Sequence, residues 1–360
     1  MKNLLLVCVL LFSNVFSEPF LTEKDMKVTS YVKKKQHRKA PKKVYIRSFK
    51  ALFEVFEEAE ASTMGKRNER ANRTTFTSGT STRMGVQIAG VDVEDFQKVI
   101  DDAYKSFVDQ LKEQGFEIMT IEEASKIELY SDYTRVQGGA SSDAQATGFV
   151  MVTPQGFDYM VKRISKNGKE KGTFMDLGPK ISKELGDVYV ADAIFIFPFV
   201  ELSAKSSSLA NMSSVKAKIG LEMESFMNAS ITNEQDSWKS LASGFTSPGT
   251  SDLLSSQIRF VSGGDFANNP FFDAKVELKK TVGFDDVFKD KKIKEVTSAQ
   301  VEVFEKTAYN RLIMVSGDEK SVASHFAECD QEAYVTAASG AIKDMMAAGI
   351  TNFEEMANDK

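Results

Sequence analysis

The sequence predicts an α+β protein: a mixed sheet with helices packed on it, an antiparallel hairpin-rich region, and helices at the carboxyl end. Three observations carry that expectation. A strand–helix–strand succession occupies roughly 84–119. A nearly unbroken apolar run extends from Val188 to Leu202, as in a strand covered on both faces. After 203 the hydrophobic period switches to two, the spacing of strands with one wet face.

Taken in order, the body opens with a strand at Val44–Phe56, whose alternation breaks near Lys50-Ala51 and so predicts a bend or bulge. Residues 57–82 are polar and aperiodic and read as an extended hairpin or a mobile loop; Met84–Ile88 is a short strand. The clearest helix spans 93–114. Asp92 is its N-cap with Asp95 at the third helical position, and Gly115 suits the residue after its end. Its apolar stripe is Phe96, Val99, Ile100, Ala103, Phe107 and Leu111. Phe116–Met119 then returns as a strand, a short helix follows near 121–128, and Gly148–Val152 is extended. A second helix covers 174–185. The alternating segment Val215, Ala217, Ile219, Leu221, Met223 is followed by strands at 237–243, 257–261 and 275–284. Helices are expected at 297–314 and 331–348, the latter capped by Asp330.

The chain has 360 residues, a formal net charge of -5, two Cys, two His and 27 Phe. The charge is unevenly placed. Residues 18–43 carry a net charge of +6 and residues 44–360 carry -12. The basic residues concentrate in Lys33, Lys34, Lys35, Arg38, Lys39, Lys42 and Lys43. With little apolar content and Pro41 near its end, the 18–43 segment is expected to be a flexible arm for electrostatic tethering. Its partner could be an anionic membrane surface or another envelope component. An acidic body argues against a nucleic-acid partner.

Residues 1–17 have the three-part pattern of a secretory signal peptide: Lys2, the apolar run Leu4–Phe12, and Val15-Phe16-Ser17. The run is too short to span a bilayer as a helix. Cleavage would remove Cys8 and leave Cys329 as a lone thiol, which suits a bacterial periplasm or extracellular setting. The expected organisation is thus a signal peptide at 1–17, the arm at 18–43, an α/β unit at 44–202, the hairpin region at 203–285, and C-terminal helices at 286–360 packing back on the body.

No catalytic constellation emerges. The sequence holds no nucleophile elbow, phosphate-binding loop or dinucleotide fingerprint, and no cofactor or metal is expected. His325 and Cys329 would be neighbours on a helix, but they offer too few ligands, and a plain helix end is the simpler reading. Ser213 and Lys216 match a nucleophile–base spacing that chance supplies freely. The Phe excess at Phe49, Phe53, Phe107, Phe116, Phe195, Phe197 and Phe199 reads as core. Phe266, Phe271 and Phe272 differ: they lie in a turn-rich segment, either pinned into the core or offered to a partner.

The order of elements in 44–202, with Gly115-Phe116-Glu117-Ile118 after the long helix and Lys183-Glu184-Leu185-Gly186-Asp187 leading into the apolar strand, resembles the curli-secretion-channel and TolB amino-terminal group. The resemblance implies a mixed sheet with packed helices and a role in envelope assembly, secretion or complex formation. This chain has Gly186-Asp187-Val188-Tyr189 where that group runs Gly-Ala-Asp-Tyr, and the group's lipidated Cys is missing. No site residue is carried over. The leading expectation is a non-enzymatic, exported envelope-binding or assembly protein, with homo-oligomerisation open. Two alternatives stand beside it. One is a periplasmic hydrolase with a site assembled from scattered Ser, Asp and Glu. The other is an outer-membrane-inserting oligomer using the alternating 215–225 strand.

Overall fold

The computed structural model describes residues 18–37, 40–62, 66–70, 73–77, 81–171, 176–207, 212–228, 253–264, 270–289, 294–295 and 325–358. The signal-peptide segment, Arg38, Lys39, Phe266, and the elements expected at 237–243 and 297–314 lie outside them. The protein is α+β. Its principal strands are β1 (Met26–Val32), β2 (Lys43–Glu54), β3 (Phe56–Ser62) and β4 (Ser81–Ala89). After α1 (Val93–Glu113) come β5 (Glu117–Ile118), β6 (Phe149–Val152), α2 (Gly178–Glu184), β7 (Tyr189–Phe197), β8 (Val200–Ser207) and β9 (Met212–Ile219). The chain then forms β10 (Gln257–Ser262), β11 (Phe272–Leu278), β12 (His325–Glu328) and α3 (Gln331–Asn358).

The main sheet has the order β1–β11–β10–β7–β2–β5, with β6 pairing the far half of β2. β2 is parallel to β5 and β7, and the other pairings are antiparallel. The strands expected within a hairpin-rich region, β10 and β11, are therefore part of the same sheet as the first strand of the body. The strand that pairs with β5 is β2, whereas β4 joins a second sheet with β3 and β12. The polar stretch after β2 is an extended hairpin: β3 pairs β4, and two short strands, Lys66–Arg70 and Arg73–Thr77, pair beyond them.

Both long helices cover one face of the main sheet. Asp92 caps α1 through a capping box with Asp95, and Gly115 takes a positive φ of 80° just past its end. The expected apolar stripe of α1 is wholly buried. Asp330 caps α3 by accepting the Ala333 N–H at 3.0 Å. This helix outruns the expected 331–348 because Ile350, Phe353 and Ala357 continue its buried stripe. The Phe excess becomes an aromatic layer between sheet and helices. Phe53 stacks on Phe96 with centroids 4.4 Å apart, and Phe260 on Phe353 at 4.0 Å. Each such ring contributes on the order of 2–3 kcal/mol by burial.

The segment expected to be a flexible arm is partly built into this body. Leu21 is buried and its N–H donates to Asp344 on α3 at 3.0 Å. Met26–Val32 pairs along its whole length with β11. The alternation of Met26, Val28, Ser30 and Val32 supports a strand, and the lysines around it hid that pattern in the composition.

Past Phe53 and Phe197 the parallel pair β2/β7 splays. Val55 separates β2 from β3, and Pro198 and Phe199 separate β7 from β8. Pro198 has no N–H to donate, so a junction between sheets tolerates it. β3 turns away to β4, and β8 forms a hairpin with β9.

Candidate functional site

Three polar arrangements depart from the apolar frame. The first is a cationic corner at the end of the main sheet. Lys33 follows β1, and its N–H donates to Phe271 O at 2.7 Å. Its ammonium lies 5.9 Å from the Tyr31 ring centroid and 5.5 Å from that of Phe271, and Lys183 approaches Phe271 from α2 at 5.7 Å. Phe271 packs against Gly263. A Cβ there would come within 2.3 Å of the ring, and Gly263 also takes a φ of +64°. The corner is thus an alternation of lysines and aromatic rings fixed by a glycine. Lys34 and Lys35 are exposed beside it, whereas Lys42 is exposed four strands away at the same end of the sheet, its ammonium 5.6 Å from the Phe116 ring centroid. Lys43 belongs to β2 and is turned inward to Glu117 at 2.7 Å and Glu123 at 3.1 Å, which raise its pKa. Phe271 is half-buried and reaches the surface. Phe272 is not a surface residue: it is fully buried, edge-on to Tyr189 and Phe353. Adjacent strand residues point to opposite faces, so one of this pair faces the helices and the other cannot.

The second arrangement crosses the sheet face that α1 and α3 leave uncovered. On that face β7 presents Val190, Asp192, Ile194 and Ile196. The pairing of β7 with β2 slips between Ala191 and Asp192, so Arg47 is an extra, bulged residue beside Asp192. Arg47 grips Asp192 with two bonds, Nε to Oδ1 at 2.9 Å and Nη2 to Oδ2 at 2.5 Å, and reaches Asp176 Oδ1 at 3.1 Å. Arg259 binds the other oxygen of Asp176 at 2.5 Å and takes Asp273 in a two-bond fork at 2.9 and 2.7 Å. Two arginines and three aspartates, 10–29% exposed, thus form one continuous band. Apolar clusters flank it on either side. Tyr45, Tyr130, Ile181, Val190 and Val261 lie on one, and Leu52, Ala146, Met151 and Ile196 on the other.

The third arrangement sits where the strands splay. Glu54, only 5% exposed, accepts the N–H groups of Phe199 at 2.9 Å and Val200 at 3.2 Å, and Glu57 accepts that of Leu202 at 3.2 Å. These are N–H groups at the start of β8, beyond the last β2/β7 backbone pair. Burial pushes the Glu57 carboxyl up to about 8. Burial, and then the neighbouring charge of Glu57, lift Glu54 well above the carboxylate range. Raised carboxyls are what a hydrolase would use, but these oxygens hold backbone N–H groups in place, as a side-chain substitute for the missing strand pairing.

The remaining sequence candidates disperse. His325 and Cys329 fall on and just after a strand rather than on a helix, so an i,i+4 spacing separates them by about 13 Å. Cys329 is buried, its Sγ donates to Ala89 O at 3.2 Å, and burial pushes its thiol up to about 12. Among the described residues no group of His, Cys, Asp and Glu is arranged to hold a metal. Ser213 and Lys216 lie on β9, where Lys216 points to solvent. The alternating segment is two strands broken at Gly220, and its apolar residues Val215, Leu221 and Met223 pack into the protein's own core. No described helix is long and apolar enough to cross a membrane.

Sequence reasoning missed the charged band because its members lie far apart in the chain; the bulge expected near Lys50-Ala51 falls instead at Arg47. Comparison with protein-family models, curated proteins and solved structures finds no match.

Proposed function

We propose that this chain is an exported, non-enzymatic binding or assembly protein of the cell envelope, held to an anionic surface by the cationic corner of its main sheet. The observation that carries this reading is the alternation of Tyr31, Lys33, Phe271 and Lys183 beside exposed Lys34 and Lys35, with Lys42 exposed further along the same end of the sheet. Lysines near an anionic membrane surface contribute about 1 kcal/mol each, and a half-exposed ring gives such a corner an apolar foothold. The corner opposes the charge of the rest of the body, which carries the net negative balance of the chain. The resemblance of the 44–202 element order to envelope-assembly proteins points the same way. Of the polar arrangements described, the charged band is internally neutralised to within one charge and the Glu54/Glu57 pair is engaged with backbone, so neither supplies a free reacting group.

Cosedimentation tests this. The protein is expected to pellet with phosphatidylglycerol vesicles and not with phosphatidylcholine vesicles at low salt, and to be released as ionic strength rises. The triple variant Lys34→Glu/Lys35→Glu/Lys42→Glu is expected to lose the interaction while keeping its unfolding midpoint. Equal partition of the two proteins between both kinds of vesicle would refute the tether.

A further inference from the structure

The main sheet ends at β1, and the direction of its backbone groups can be worked out. Lys33 N–H donates to Phe271 O at 2.7 Å, and Lys279 N–H donates to Asp25 O at 2.8 Å. Both pairs continue the register that sets Met26 opposite Leu278 and Val32 opposite Phe272. In an antiparallel ladder a residue turns its N–H and C=O to the same side, and successive residues alternate. Residues 27, 29 and 31 therefore turn their backbone groups to β11. Val28, Ser30 and Val32 turn theirs away, along an edge that no described strand pairs. Side chains are also exposed there: Val28 is 55% and Tyr31 45% exposed, on opposite faces of the sheet. Ser30 Oγ, on the Val28 side, donates to Asn352 of α3 at 2.7 Å, which anchors the strand from behind.

An edge strand with outward backbone groups and exposed apolar side chains is a template for strand addition. We propose that β1 is the docking edge for an extended, acidic segment of a partner protein, which adds as a further strand along Val28–Val32 and sets its carboxylates against Lys33, Lys34 and Lys35. The charge placement selects this occupant. Lysine stands at both ends of the strand: Lys27, already paired with Glu277 at 3.1 Å, and the run from Lys33 to Lys35; a second copy pairing antiparallel about Ser30 would set Lys27 directly opposite Lys33. An acidic strand meets the Lys33–Lys35 end favourably and avoids that clash. The inference rests on the binding-protein reading above and names its partner class, but it does not need the anionic-surface tether.

The probe is a fluorescein-labelled peptide of alternating valine and threonine flanked at each end by two glutamates, titrated with the full chain by anisotropy. Saturable binding is expected. It should weaken at least tenfold when the flanking glutamates are replaced by lysines, and at least tenfold when alternate peptide nitrogens are methylated. Val28→Pro, which removes an outward N–H at a position where an edge strand accepts proline, should weaken it likewise while leaving phosphatidylglycerol-vesicle binding intact. No saturable binding, equal binding of the lysine-flanked peptide, or equal binding of the methylated peptide would each overturn the proposal. Because the methylated peptide leaves the protein untouched, the test stands even if Val28→Pro fails to fold. Peptide binding without vesicle binding would sink the tether and keep the edge; vesicle binding without peptide binding would do the reverse.

Discussion

The charged band and the splayed-strand carboxylates pose the same problem, ionisable groups inside a sheet protein, and solve it in opposite ways. In the band, every aspartate meets a guanidinium. Burial alone would raise the Asp176 carboxyl, but the charges of Arg47 and Arg259 outweigh it and hold it below the usual value. At the splay, Glu54 and Glu57 meet backbone N–H groups and each other, and their carboxyls are raised. Charge is neutralised by pairing in one place and by protonation in the other. The comparison teaches that burial does not decide the sign of a carboxyl's response; the partner does.

The largest effect should come from breaking the pairing. Arg47→Met would strand Asp192 and one oxygen of Asp176 at 10% and 29% side-chain exposure. Removing one partner of a buried ion pair costs about 3–5 kcal/mol, because the remaining charge is left uncompensated. The urea midpoint of Arg47→Met should fall accordingly. Adding Asp192→Leu should recover a large part of the loss, since an apolar pair between the two flanking clusters removes the stranded charge. If the double variant is as unstable as the sum of its parts, the band is not acting as one network.

How far the chain could be read without its structure follows from what kind of information each feature needs. The α1 helix was legible to within a residue because Asp92, Asp95, Gly115 and the apolar stripe are all local. The core Phe residues were legible because they fall on the buried side of regular elements. β1 was not, because its neighbours Lys33–Lys35 made the whole segment look like solvated arm, while the strand depends on a partner, β11, about 245 residues away. The band was illegible for the same reason: Arg47 and Asp192 are 145 positions apart, and Asp176 and Arg259 83. Phe266, Phe271 and Phe272 were read as one group, although the alternation of a strand sends the neighbours Phe271 and Phe272 to opposite faces.

The next largest effect separates the two solutions by pH. For Glu57 the folded value of about 8 exceeds the ordinary glutamate value of 4.5, so the folded state holds a proton that the unfolded chain releases. Its contribution to stability is full below pH 4.5 and is lost as pH rises towards 8. For Asp176 the shift is downward, so its contribution is present above the ordinary aspartate value of 3.8 and is lost as pH falls below it. Stability should therefore pass through a maximum between these limits and decline by about 2 kcal/mol towards pH 8, since solvent reaches the half-buried Glu57 and screens its charge. Denaturant unfolding across that range measures it, and Glu57→Gln should flatten the alkaline limb while leaving the acid limb unchanged. A slope of unchanged steepness in Glu57→Gln would show that other groups govern it.

The smallest effect is the sharpest test of why the splay uses carboxyls at all. Glu54→Gln keeps an oxygen to accept the N–H groups of Phe199 and Val200. It also introduces an amide NH₂ that needs a partner in a nearly closed site, at a cost of about 1 kcal/mol. Burial raises the Glu54 carboxyl and so favours its neutral form towards acid, where mainly this cost is felt, and at pH 5 the variant should be slightly less stable than the parent. At pH 8 the parent must hold a second buried charge beside Glu57 or a proton against the solvent, and the substitution relieves that conflict. The variant should then match or exceed the parent. Urea midpoints at both pH values decide it: a crossing supports protonation as the means of neutralising the splay, and an equal penalty at both values would show that the Glu54 oxygens act only as hydrogen-bond acceptors.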